Sequence, residues 1–338
     1  MGIAGLWIDG LEATSKTWPS ELTLAASASS AFEPRALVLT KTIALPGVKG
    51  RLDHLALDAK GNRLFVSALG NDTLEVVDIA AGKPLASIRG LHEPAGVLHL
   101  TERNQIAVAS AGALELFDGA SYERLASVGS LDDIDNLRFD PETKRIYAGY
   151  AAGALAIIDA MTMQKLGSVA LAAHPEAFQL EPHGGRIFVN VTRAMQIAVV
   201  DRLKQEVIAT WRMEKCRAQF PMALDESDQR LFVGCREPAR LVVFDITLGK
   251  PVSDLEICGD ADDVFYDASR KRLYISCGEG FIDVIDRRDA NTYELRERIP
   301  TRVGARTSLF SAERDELFLA VPARGKDAAE LRLFQPGS

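Results

Sequence analysis

The chain repeats one strand–turn–strand pattern seven times, and this repeat constrains its fold more than any other feature. The first copy is Arg51 to Ser67, RLDHLALDAKGNRLFVS. Aligning the copies on the residue before the second strand gives Arg63, Gln105, Arg145, Arg186, Arg230, Arg272 and Glu316, at spacings of 42, 40, 41, 44, 42 and 44. Self-similarity at such a period marks architectures in which one unit cannot bury its apolar face without its neighbours.

Each copy predicts four strands. After the aligned residue come LFVSA, IAVAS, IYAGY, IFVNV, LFVGC, LYISC and LFLAV, branched and aromatic runs bounded by turn clusters such as AKGN, PETK and ESDQ. A third strand follows each: LEVVD, LELFD, LAIID, IAVVD, LVVFD, IDVID and LRLFQ. Six of these end on Asp78, Asp118, Asp159, Asp201, Asp245 and Asp286 just before a turn. There a carboxylate accepts turn amides, so these six read as turn residues rather than catalytic acids.

A fourth strand (PLASIRGL, RLASVGSL, KLGSVALA, VIATWRM, PVSDLEI, ELRERIP) follows in six copies, and the seventh has no room for one. Residues 37–47, LVLTKTIALPG, have the composition of the missing strand. Pairing them with LRLFQ would close a ring and remove the exposed edges a sheet protein must otherwise protect. The expected fold is therefore all-β: a seven-bladed β-propeller over residues 36–335, four antiparallel strands per blade, with the N-terminal strand completing the last blade. A solenoid would need capping repeats instead of two complementary terminal fragments.

Residues 1–35 are unlike the repeats. The small-residue stretch ELTLAASASSAFEP has the look of a signal-peptide cleavage region, but Asp9, Glu12 and Glu21 interrupt the apolar core such a signal needs. The segment reads either as a degenerate signal or as a disordered Ala/Ser-rich leader. It also holds Trp7 and Trp18, whereas Trp211 falls in a fourth strand and is expected in blade packing.

No run of about 18 apolar residues is present, so no membrane span is expected. A net charge of -8 without a Lys/Arg cluster argues against nucleic acid as a partner. The signatures of serine hydrolases, P-loop NTPases, dinucleotide-binding enzymes and haem attachment are missing, which lowers those reaction classes.

The phrases RLDHLALDAKGNRLFVSALGNDTLEVVDIAAGK, HPEAFQLEPHGGRIFVNV and GDADDVFYDASRKRLYISCGEGFIDVID resemble the YVTN-repeat (YncE-like) β-propellers, although no copy contains YVTN itself. The resemblance spans about 300 residues by the same repeat logic. It implies the propeller fold and, since many members are exported bacterial proteins, a periplasmic or secreted location; the alternative is cytoplasmic. It implies no catalytic residue.

In a propeller the inner strand of each blade lines the central channel, and its starting end shares a face with the loops between second and third strands. At the position of Asp53 stand Asp53, Ala95, Asp135, Glu176, Phe220, Asp262 and Arg306. One residue on stand His54, Gly96, Asn136, Ala177, Pro221, Asp263 and Thr307. Two residues before Asp53 stand Arg51, Glu93, Asp133, His174, Ala218, Asp260 and Gly304. Asn71, Asn190, Arg236 and Glu279 add polar groups from the ends of second strands and the loops after them.

Three readings of this ring stay open. Its side chains satisfy loop amides and channel water; or they recognise a small polar molecule or a partner protein; or converging oxygens hold a divalent cation, with His54 or His174 shifting the preference toward a transition metal. The corresponding functions are an exported recognition propeller and, as the alternative, a metal-assisted hydrolase or lyase of lactonase type with the metal at the channel mouth.

The four cysteines follow the repeat. Cys216 and Cys258 are 42 apart, as are Cys235 and Cys277. Repeat equivalence puts Cys235 opposite Phe220 and Cys277 opposite Asp262. Disulfides Cys216–Cys235 and Cys258–Cys277, implying an oxidising compartment, stand level with buried free thiols. A four-cysteine zinc site lacks the Cys-x-x-Cys spacing it needs.

Overall fold

A computed structural model describes residues 35–337, so the expectations for the leader lie outside the described residues apart from Arg35. The described residues form seven four-stranded antiparallel sheets. Blades one to six are the consecutive segments 55–88, 97–128, 137–170, 178–212, 217–256 and 261–300. Blade seven is completed from the other end of the chain: Leu37–Leu45 pairs antiparallel with Ala329–Pro336, from Leu37 opposite Pro336 to Leu45 opposite Ala329. Ala36, Leu37, Ile43 and Leu45 are buried by this closure.

The repeated apolar runs are explained by how blades stack. A strand covered on both faces reads as a continuous apolar run rather than an alternation. In Arg63–Ala68 every residue after Arg63 is buried, whereas the outer strand Lys83–Ile88 of the same blade is largely exposed. Seven hydrophobic clusters result, one at each blade boundary. Between blades one and two, for example, Phe65, Leu74 and Val76 meet Val97, Ile106 and Val108. Each such side chain contributes roughly 1.5–3 kcal/mol on burial. Trp211 stacks on Phe244 of the next blade at a centroid distance of 6.0 Å.

The aligned residues are more than a convenient register. Arg63 donates to the Gly119 carbonyl, Arg186 to that of Ile246, Arg230 to that of Ala290 and Arg272 to that of Gly337. Each of these four guanidiniums therefore clasps the blade that follows its own.

Five of the six strand-ending aspartates cap turns: Asp78, Asp118, Asp159, Asp201 and Asp245 accept backbone N–H groups two or three residues on. Asp286 does not. It accepts from Arg272 Nε at 2.9 Å and Arg296 Nη1 at 3.1 Å, while Asp289 caps the turn instead by accepting from Asn291 N.

Both cysteine pairs are disulfides, Cys216–Cys235 and Cys258–Cys277, with Cα separations of 6.0 and 5.9 Å. The register differs by one residue from repeat equivalence: Cys235 lies opposite Gln219 and Cys277 opposite Ala261. The cause is a bulge in each inner strand, between Gln219 and Met222 and between Ala261 and Asp263, which takes up the extra residues. Among the described residues no helix is long and apolar enough to cross a membrane.

Candidate functional site

All seven inner strands contribute to one cavity of about 700 Å3 on the channel. In blades one to four the backbone pairing continues past the strand starts, with Asp53 N donating to Ser67 O and Glu176 N to Asn190 O, both at or below 2.9 Å. This extension fixes the directions of the residues at the channel mouth.

Asp53, His54, Asp135, Asn136, His174, Glu176, Arg236, Asp262, Asp263 and Arg306 all line the cavity. Asn190 does not. Fully buried on a second strand, it turns toward blade five and donates from Nδ2 to the Phe220 carbonyl at 3.0 Å. Asn71 and Glu279 likewise serve loops, accepting from the backbone of Lys49 and Gly259. Blade two adds no side chain at the His54 position, because a Cβ on Gly96 would collide with the Asp135 carbonyl oxygen.

Half of the ring is internally neutralised. Arg306 pairs with Asp260 and Asp262, each at 2.8 Å, and Arg236 of blade five pairs with the same two carboxylates from the other side. The Arg236 guanidinium also lies 3.7 Å from the Phe220 ring centroid, a cation–π contact that holds it flat. In blade one, Arg51 Nη2 sits 2.9 Å from Asp53 Oδ2.

His54 is the hub of the rest. Its Nε2 is 3.8 Å from Asp53 and 3.7 Å from Asp135, with the ring partly open to the channel. Burial opposes its charge, but Asp135 and Asp53 outweigh that and push it up to about 10, making it an imidazolium at neutral pH. Burial would raise Asp135, yet His54 beside it holds this carboxyl below its ordinary range. Asp53 is pushed up by burial. Asp263 is raised to about 7 by burial, even though Ser308 N donates to it at 2.7 Å.

Glu176 is raised to about 7 by burial and by Asp135, and its carboxylate has no hydrogen bond or ion pair among the described residues. His174 approaches Asp133 at 3.3 Å and the Ala151 carbonyl at 2.7 Å. Asn136 is 5% exposed; its Nδ2 reaches Asp135 at 3.4 Å and its Oδ1 has no partner.

Sequence reasoning stopped at the strand starts and so missed the next layer. Two residues beyond the His54 position, on the same face by the two-residue period of a strand, lie Ala56, Leu98, Arg138, Gln179, Phe265 and Leu309. Arg138 is the cation of this layer. Its Nη1 donates to its neighbour's carbonyl, Leu137 O, at 2.8 Å, and it makes no ion pair among the described residues. Burial lowers its pKa, against the pull of Asp263 and Asp135. An arginine inside an otherwise apolar strand pattern was the available signal.

Among the described residues no three His, Cys, Asp or Glu side chains are grouped to hold a metal ion. The oxygens expected to converge are engaged by guanidiniums or spread around the ring.

No family model matches the chain, and no curated protein matches it. Solved structures do. A chain from a crystal structure of the mitotic checkpoint complex superposes with a TM-score of 0.76 at 13% identity, covering 99% of both chains. A chain of Kuenenia stuttgartiensis hydrazine synthase gives 0.70 at 16% identity, covering 82% of this chain and 95% of the other. At these identities the likeness establishes the shared propeller fold and nothing finer.

Proposed function

We propose that this chain is a recognition propeller that binds a small polar ligand in the channel cavity. One observation carries the reading: charged side chains from neighbouring blades face a concave space of about 700 Å3, and two of them, Glu176 and Arg138, form no ion pair among the described residues. Ligand pockets of this size place a few polar groups on a shaped wall in just this way. A concave site favours a small molecule over a flat protein contact.

The two disulfides support work in an oxidising compartment, in keeping with the YncE-like exported propellers that the repeats resemble. Among the described residues no grouping of side chains supports the metal-assisted hydrolase reading.

Thermal-shift screening against small polar compounds tests the reading. A bound compound raises Tm, since it binds the folded state alone, and the rise should vanish in Ala177→Trp, which fills the cavity from the blade-four wall. A panel without any shift, or a shift that survives Ala177→Trp, overturns it.

A further inference from the structure

The charges of the cavity divide into two groups. Those of blades five to seven are closed on themselves by Arg236 and Arg306 bridging Asp260 and Asp262. In blades three and four the pattern is different. Among the described residues Glu176 faces the cavity with no hydrogen bond or ion pair, and Arg138 faces it with only the Leu137 carbonyl and, at 5.6 Å, the Phe178 ring, yet the two are not within ion-pair distance of each other. Asn136 borders the same space, nineteen-twentieths buried, with an acceptor oxygen that no donor reaches.

We infer that the ligand is a zwitterion, an amino acid or a molecule carrying the same pair of charges, whose carboxylate lies on Arg138 and whose ammonium lies on Glu176. The inference rests on the proposed channel-binding function and specifies its ligand class.

The chemistry matches group by group. A guanidinium is a planar fork that takes a carboxylate through two parallel N–H donors. An ammonium offers three donors and no acceptor, which suits a carboxylate with no hydrogen bond of its own. A ligand with only one of the two charges would leave Glu176 or Arg138 unpaired in a partly desolvated space, which is costly. The neighbours of Glu176 are Asp135, His174, Asp262 and Arg236, and those of Arg138 are Asp263 and Asp135. Of these neighbours Asp135 acts most strongly on Glu176, and its charge favours an incoming cation there. Because Glu176 titrates near 7, seating an ammonium beside it at neutral pH should drive a proton off.

The experiment is titration calorimetry of the purified chain with glycine, β-alanine, γ-aminobutyrate and 5-aminovalerate, which step the distance between the charges, against butylamine and butyrate as single-charge controls. At least one zwitterion should bind about tenfold or more tighter than either control. Near pH 7 its heat should change with the ionisation enthalpy of the buffer, reporting proton release. Glu176→Gln should abolish that release and weaken the zwitterion to the level of butyrate. Arg138→Met should weaken it to the level of butylamine. A single cooperative thermal transition in both variants guards against misfolding.

A control that binds as tightly as every zwitterion, or zwitterion binding indifferent to both substitutions, overturns the inference. So does a series in which nothing binds. If the zwitterions fail while another polar compound from the thermal-shift screen binds in an Ala177-sensitive way, the inference falls and the channel reading stands; if that screen is also blank, both fall.

Discussion

Arg230 of blade five donates from Nη2 to Asn291 Oδ1 of blade six at 2.9 Å. The same guanidinium gives Nε to the Ala290 carbonyl and Nη1 to Asp245 of its own blade, so one buried side chain ties a strand end to the neighbouring sheet. Arg230→Ala would take a donor from Asp245 Oδ2, from Asn291 Oδ1 and from the Ala290, Asp228 and Gln229 carbonyls. A loss of about 3 kcal/mol is expected, since breaking one side of a buried charged network costs that much. Urea denaturation of wild type and variant measures it, and a change within 0.5 kcal/mol, ordinary for a surface substitution, would show that the clasp contributes nothing.

Ring closure gives a second prediction. Ile43 is 1% exposed and packs in the cluster that joins blades seven and one. Ile43→Ala should destabilise the whole ring by about 3 kcal/mol, the usual range for emptying a fully packed aliphatic site. The transition should stay single and cooperative in calorimetry; a separate low-temperature melt would mean the terminal strand unfolds independently of the blades.

The two disulfides close loops of nineteen-residue separation. Chain-entropy arguments give roughly 3 kcal/mol for a loop of that size. Protein recovered from an oxidising compartment and denatured without reductant should show no titratable thiol, and four after reduction. The Cys258→Ser, Cys277→Ser double variant should lower stability by about that loop contribution; free thiols in the native preparation would count against both bonds.

The pH dependence of stability follows from signs. Glu176 and Asp263 have folded values near 7, above 4.5 and 3.8 in the unfolded chain, so between those limits the folded state holds more protons and stability falls as pH rises. His54, raised from 6.5 to about 10, adds stability that is complete below 6.5 and is lost as pH climbs through about 10. Asp58, Asp140 and Asp267 have lowered values and act oppositely, contributing above 3.8 and losing that contribution on further acidification. The maximum Tm should therefore fall on the acid side of neutrality, at about pH 5. Glu176→Gln should flatten the decline between 4.5 and 7. A Tm that climbs steadily from pH 5 to 8 would contradict the assignment.

How far these features could be read from the chain alone varies with what each depends on. Repetition made the blades legible, because LFVSA and its counterparts must be covered on both faces and only neighbouring copies can cover them. The split seventh blade was legible for the same reason, as Leu37–Leu45 and the last repeat are each incomplete. Repeat equivalence also located the mouth of the channel, since Asp53, Asp135, Glu176, Asp262 and Arg306 occupy one position. What it could not give was pairing. Whether Asp262 meets a guanidinium or a metal ion depends on the distance between blades, and Arg236 reaching across from blade five decides it. Asn190 points away because its strand packs against blade five, and Arg138 lies beyond the strand starts to which attention was confined. The one-residue offset at Cys235 and Cys277 comes from bulges, which alignment by spacing smooths over.

The strand Leu37–Leu45 leads the described part of the chain, and its partner Ala329–Pro336 lies about 300 positions later. Contacts of such sequence separation form late and slowly. At ordinary synthesis rates of about 5–20 residues per second, roughly 15–60 s pass between making the two strands. For that interval the first strand lacks its native partner, and the blades already made await the strand that closes the ring. Whatever handles the nascent protein, a chaperone or an export machine, therefore meets a chain that has not yet committed to its native topology.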